Sequence, residues 1–287
     1  METDTQREAM EYDVVIVGAG PSGLATAIKL KQINADANVC IVEKASEVGA
    51  HILSGNVFET KALDELLPEW QSMEGCPLKT KVSKEKFLVL SEKSYFSVPS
   101  FLLPPVQHNK GNYITSLANL CRWLGQVAEG LGVEIYPGFA ASEILYDDQG
   151  KVRGVATNDM GLDINNEKKD SYEPGIELHA KVTVFAEGCR GHLGKQLINK
   201  FNLSENSDPQ QYGIGLKEIW EVPEENHDEG MVLLSVGWPL ENDTYGGSFV
   251  YHAENKQIYL GYVIGLDYSN PYLSPFEEFQ RFKTHPA

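Results

Sequence analysis

Cysteine is scarce: Cys40, Cys76, Cys121 and Cys189 are the four in 287 residues, and none sits in a Cys-x-x-Cys pair. That spacing excludes a legible disulfide framework and offers no zinc or iron–sulfur ligand set, so a reducing compartment is expected. The seven histidines contain no His-x-His or His-Glu-x-x-His pairing, and no metal ligand is predicted. Positive charge is also short, 24 Lys and Arg against 41 Asp and Glu for a net −17. A chain so poor in cations has little with which to hold phosphodiester backbones, and nucleic acid is not an expected partner. No window approaches the roughly 20 apolar residues that span a bilayer. Met1 to Glu11 is acidic and polar where a targeting peptide is basic and then apolar, so the chain is expected to start as a mature polypeptide.

What is present suffices for a large core: 42% of residues are hydrophobic and 10% aromatic. Tyr12–Gly18 (YDVVIVG) reads as a strand buried on both faces, Pro21–Asn34 as a helix with Leu24, Ala27, Ile28 and Leu30 on one side, and Asn38–Glu43 (NVCIVE) as the next buried strand. Together they predict a β-α-β unit. Thr115–Gly132 is a second amphipathic helix, with an apolar stripe from Leu117 to Leu131. Glu143–Tyr146 and Val152–Thr157, joined by Asp147-Asp148-Gln149-Gly150, predict a hairpin. Asp159–Pro174 is polar enough to be expected as an exposed loop, with strand character resuming at Ile176–His179 and Lys181–Ala186. From Gln211 the segments lengthen, alternate and become aromatic, which suits an antiparallel sheet with one covered face. The last helix opens with Ser274-Pro275-Phe276-Glu277, a capping box with proline at the first helical position.

Gly18-Ala19-Gly20-Pro21-Ser22-Gly23 is a G-x-G-x-x-G at the junction of buried strand and helix. Gly18 permits the turn, Gly20 lets a pyrophosphate approach the backbone, and Gly23 lets helix and strand pack closely. The helix N-terminus then offers N–H groups to phosphate. Glu43, 20 residues after Gly23 and followed by Lys44, stands where a carboxylate accepts ribose hydroxyls and repels a 2′-phosphate. That leaves FAD or NAD. The opening at the N-terminus, the intervening hairpin and the second glycine motif Ala186-Glu187-Gly188 favour FAD, although Glu187-Gly188 alone also reads as an ordinary strand-to-helix turn. Ala140 belongs to the same expected cofactor set. Val48–Gly55 supplies small residues that could lie along a ribityl chain and flavin ring, with Ser54 and Gly55 as candidate contacts; a surface loop is the alternative.

The segments VVIVGAGPSGL, VEKASEVGAHILSG, ELHAKVTVFAEG, GIGLKE, VGWPL, TYGGSFVYH and GLDYSNPYLSPFEEFQRFK resemble the electron transfer flavoprotein-ubiquinone oxidoreductase family, nearly continuously from Tyr12 to Ala287. The resemblance implies an α/β fold: a Rossmann-like FAD-binding domain of the glutathione-reductase type over residues 1–204, and a mixed, largely antiparallel quinone-binding domain over 205–287. It implies an FAD enzyme that takes electrons from reduced electron transfer flavoprotein to ubiquinone, peripheral on the inner membrane at its bacterial cytoplasmic or mitochondrial matrix face. Because the flavin performs the redox chemistry, no general acid or base is expected. Tyr245-Gly246-Gly247-Ser248 matches the family's quinone motif, with Gly246 and Gly247 as quinone contacts; on the residues alone a β-bulge or hairpin bend reads as well.

The family also implies a membrane-surface insertion, expected around 48–106. One candidate face carries Val57, Phe58, Leu63, Leu66, Leu67 and Trp70; another is the proline-broken apolar run Tyr95–Val106; for each, ordinary core packing is the alternative. The family's 4Fe–4S domain has no counterpart in these residues, and the chain is expected to be part of a longer polypeptide. Two rival readings remain at the level of sequence. One is an isoprenoid-lipid reductase or aromatic hydroxylase of the same flavin fold; the other is a non-catalytic flavin-binding module.

Overall fold

A computed structural model describes residues 7–53 and 55–287; the expected contact Ser54 lies outside the described residues. The chain forms two compact units, one from the residues up to Leu53 with Leu117–Ser207, the other from the residues between them with Asp208–Ala287. Five α-helices occur among the described residues: α1 (Pro21–Ile33), α2 (Lys61–Leu66), α3 (Leu117–Gly130), α4 (His192–Phe201) and α5 (Pro275–Phe282).

The first unit is built on a six-stranded sheet. Glu134–Pro137, Val39–Glu43, Ala9–Val17 and Glu177–Phe185 lie side by side and parallel. Val152–Thr157 and Ala141–Tyr146 then continue the sheet antiparallel, as the expected hairpin. Val15, Ile16, Val39, Cys40 and Ile41 are fully buried, which explains why these strands read as unbroken β-branched runs: a parallel strand is covered on both faces. The apolar side of α1 (Leu24, Ala27, Ile28) and of α3 (Leu120, Cys121, Leu124, Ala128) is likewise buried. The strand expected in two pieces around His179 is continuous from Glu177 to Phe185. Asp159–Pro174, expected as a loop, instead contains a hairpin of Met160–Leu162 with Lys168–Glu173. Its longer strand is exposed at five of six positions, so it lacks the apolar alternation by which a strand is recognised.

The second unit holds a six-stranded sheet in the order Gly213–Glu221, Gln257–Gly265, Gly246–His252, Met231–Gly237, Lys84–Leu90, Tyr95–Val98. It is antiparallel except for one pair, Met231–Gly237 running parallel with Lys84–Leu90. That pairing draws residues 55–116 together with 208–287, a division different from the continuous 1–204 and 205–287 expected from the sequence. On one face of this sheet Tyr262 and Ile264 pack on Phe279 and Phe282 of α5. Ser274 Oγ accepts the Glu277 N–H, so the capping serine is in place at the start of α5.

The apolar face expected to meet lipid between Val48 and Trp70 is turned inward. Leu63, Leu67 and Trp70 are buried, and Trp70 also donates to Asp64 and meets Tyr113 edge-on. The Tyr95–Val106 run differs: Phe101 and Val106 are 82% and 89% exposed. Among the described residues, no helix is long and apolar enough to cross a membrane.

Candidate functional site

In the first unit a cavity of about 520 Å³ opens at the carboxyl ends of the parallel strands, bounded by Val17, Val42 and Ala186. Ligands of open α/β sheets bind at that edge. The strand Ala9–Val17 turns there through Gly18, at φ +104°, where a Cβ would come 2.6 Å from the Ala186 carbonyl oxygen. A side chain at Gly23 would overlap the Gly18 carbonyl, so this glycine lets α1 seat against the turn.

Gly20 differs from both. Its backbone is extended, and a Cβ built on it meets nothing within 4 Å. Space at Gly20 therefore belongs to the cavity and not to the protein's own packing. Gly20 is also the N-cap of α1, with Pro21 in the first turn and no side-chain cap. The N-terminal N–H groups of a helix left without a protein cap are donors for an anion.

Glu43 ends the neighbouring strand and lines the cavity with Lys44. Its Oε2 accepts the Ala19 N–H and its Oε1 the Ala45 N–H, both at 2.8 Å. The carboxylate is thus fixed by backbone donors, and each oxygen keeps acceptor capacity for a ligand hydroxyl.

Glu187 lines the same cavity, and its carboxylate is turned to the start of a helix. Its carboxylate accepts the N–H of Leu193 at 3.2 Å and of Gly194 at 2.7 Å, capping α4. The first N–H groups of a helix lack partners, and the positive end of its dipole favours a carboxylate. Glu187 therefore anchors the Gly188–Gly191 turn, in which Gly188 has φ +81° and open space where a side chain would be.

Of the expected cofactor residues, the cavity brings together Gly18, Gly20, Pro21, Ser22, Glu43, Lys44, Ala140, Glu187 and Gly188. Gly23 lies buried beneath the turn. Gly55 belongs to the second unit, where it packs on the Tyr259 ring and its carbonyl accepts the Lys217 ammonium; burial holds the Lys217 pKa down. Arg190 and His192 also line the cavity, and the sequence reading missed both. The available signal was their position in the turn that follows Gly188. Lys44, His51, Arg190 and His192 supply cationic or imidazole groups, while Glu43 and Glu187 are held by backbone N–H groups. The donor set suits a diphosphate.

Gly246 and Gly247 begin an inner strand of the second sheet and point to opposite faces. A side chain at Gly246 would overlap the Val263 carbonyl and Leu240, and one at Gly247 the Ser235 carbonyl. Both glycines thus make room for the protein's own chain. Their strand pairs with Gln257–Gly265 over Gly246–Ile264 and Gly247–Val263.

Comparison with known proteins agrees with this architecture. Residues 212–287 match the family model "ETF-QO, ubiquinone-binding", and residues 2–67 match the Thi4 family. An electron transfer flavoprotein-ubiquinone oxidoreductase of Pseudomonas aeruginosa is 58% identical over 98% of this chain and 52% of its own length. The mitochondrial protein of that name from Bos taurus is 53% identical over 98% of this chain and 46% of its own. Among solved structures, a geranylgeranyl bacteriochlorophyll reductase-like protein of Thermoplasma acidophilum superposes with a TM-score of 0.69 at 17% identity, covering 97% of this chain and 63% of its own. A flavoprotein/dehydrogenase of Cytophaga hutchinsonii gives a TM-score of 0.61 at 19% identity, covering 96% and 60%. At such identities these two establish the fold alone. The chain spans about half the length of the relatives it matches in sequence, and over that span it is a homologue of the electron transfer flavoprotein-ubiquinone oxidoreductases.

Proposed function

We propose that this chain is the FAD- and quinone-handling part of an enzyme that passes electrons from reduced electron transfer flavoprotein to ubiquinone. The observation that carries the reading is the open Gly20 turn at an uncapped helix N-terminus, beside a carboxylate already fixed in place. The first unit is accordingly a flavin domain of the glutathione-reductase type. Gly18, Gly20 and the start of α1 would hold the diphosphate with Lys44 and Arg190 nearby, and Glu43 would accept the ribose hydroxyls. Gly188 and Ala140 would border the remaining length, and Glu187 would keep the Gly188 turn in place. FAD, when bound, supplies the exchange between two-electron and one-electron carriers; the protein supplies position, polarity and access.

The second unit would take ubiquinone, with the strand that starts at Gly246 and Gly247 forming part of its seat. The exposed Phe101 and Val106, with Phe96 and Leu102 each 64% exposed, fit attachment to the surface of the inner membrane. A net charge of −17 makes apolar burial the driving force of that attachment, with no help from anionic lipid.

The test is turnover of the purified full-length protein with reduced electron transfer flavoprotein and a short-tailed ubiquinone. Quinone-dependent oxidation, with no bleaching of the flavin by NADPH alone, is the expected result. Flavin reduction by NADPH without quinone turnover would assign the protein to the reductase or hydroxylase reading.

A further inference from the structure

The second unit contains a cavity of about 340 Å³, lined by Gln211, Tyr212, Gly213, Tyr245, Gly265 and Asp267. Its floor is a row of the sheet. Gly213 is paired with Gly265, and the Gly265 N–H donates to the Tyr245 carbonyl at 2.8 Å. Side chains alternate across a sheet, so this row shares a face with the next but one, Gly215, Val263 and Gly247. Tyr262 and Ile264, one step off, point to the opposite face and α5. The cavity therefore opens on the face to which Gly247 belongs.

The lining has a definite chemistry. Tyr212 and Tyr245 supply phenol rings, and Tyr245 is 79% exposed, so its ring is available to a ligand. The two glycines leave the floor free of side chains. A Cβ on Gly265 would meet Asp267 Oδ1 at 2.7 Å, which places that carboxylate directly over the floor. Aromatic rings, a flat floor and the polar side chains of Asp267 and Gln211 form a seat for a planar ring bearing oxygen.

We infer that this pocket holds the ring of the acceptor and that Asp267 makes it select the reduced, hydroxylated ring over the oxidised, carbonyl-bearing one. The inference rests on the quinone reading of the second unit and extends it to a residue and a preference. An ionised carboxylate only accepts hydrogen bonds. A ring hydroxyl donates to it in a charge-assisted bond, whereas a ring carbonyl turns its lone pairs toward a negative charge. A seat that holds the reduced ring more tightly favours reduction of the ring bound there, by linkage between binding and redox state.

The experiment measures binding of a short-tailed ubiquinone to the oxidised flavin-loaded protein, and of its quinol to the same protein reduced beforehand, so that no electrons exchange. Asp267→Asn is expected to weaken the quinol by roughly tenfold or more, the scale of a hydrogen bond to a charged group, and to leave the quinone unchanged or tighter. Tyr212→Leu is expected to weaken both forms. An Asp267→Asn protein that binds both forms as the unaltered protein does, or loses both equally, overturns the inference and leaves the quinone reading standing. If the unaltered protein binds neither form, the quinone reading falls and the inference with it.

Discussion

The Glu43 carboxylate accepts the Ala19 N–H at 2.8 Å, tying the end of one parallel strand to the glycine turn that closes its neighbour. With the Ala45 N–H on its other oxygen, Glu43 is both a fastener of the turn and the group proposed to receive a ribose. Glu43→Gln keeps the size but turns one acceptor into a donor that faces an N–H. FAD affinity is expected to fall roughly tenfold to a hundredfold, from about 1.5 to 3 kcal/mol lost at a charge-assisted bond. Isothermal titration of the apoprotein with FAD reads this directly, and unchanged affinity would remove Glu43 from the site.

Gly246 and Gly247 carry a different expectation from the one their sequence suggests. A valine at Gly246 would strike the Val263 carbonyl and Leu240, so Gly246→Val is expected to destabilise the second unit by about 1 to 3 kcal/mol, the cost of overpacking. Urea unfolding checks it. Full stability together with lost quinone turnover would show that the glycine serves only the ligand.

Glu218 and Lys283 pair at 2.7 Å between the first strand of the second sheet and the end of α5. The Lys283 ammonium holds the Glu218 carboxyl below its ordinary 4.5. A depressed carboxylate contributes stability above the unfolded value, and that contribution disappears as pH falls through the folded one. The melting temperature is therefore expected to drop below about pH 4.5. Lys283→Met should remove that portion of the pH dependence while costing about 0.5 to 1 kcal/mol at neutral pH, as partly exposed pairs do. Identical pH profiles for the two proteins would contradict the assignment.

Phe101 and Val106 are the most exposed large apolar side chains of the Tyr95–Val106 run. Phe101→Ser combined with Val106→Ser is expected to reduce co-sedimentation with neutral phospholipid vesicles at least tenfold, since each buried apolar side chain is worth about 1.5 to 3 kcal/mol. Binding that survives the double change, or that depends on anionic lipid, would argue against an apolar anchor.

Much of the first unit could be read in the sequence because its signals are local. Val14 to Val17 and Val39 to Val42 are uninterrupted apolar runs, and the Gly18–Gly23 turn joins strand to helix at fixed spacing. The second unit was harder because its decisive contact is distant. Nothing near Lys84–Leu90 announces a parallel partner at Met231–Gly237. Amphipathic spacing identified the Leu63, Leu67 and Trp70 face, but spacing does not distinguish a face that meets protein from one that meets lipid. Glu187 was placed by its glycine neighbour, whereas the unsatisfied N–H groups of α4 decide where its carboxylate goes.

Gly20→Ala tests the central claim most directly, because its Cβ would enter open space in a backbone conformation that alanine adopts without strain. Paired measurements of unfolding free energy and of FAD affinity by titration separate ligand space from protein packing. Stability is expected to hold within about 0.5 kcal/mol while FAD affinity collapses. FAD bound equally well by both proteins, or by neither, would contradict the account.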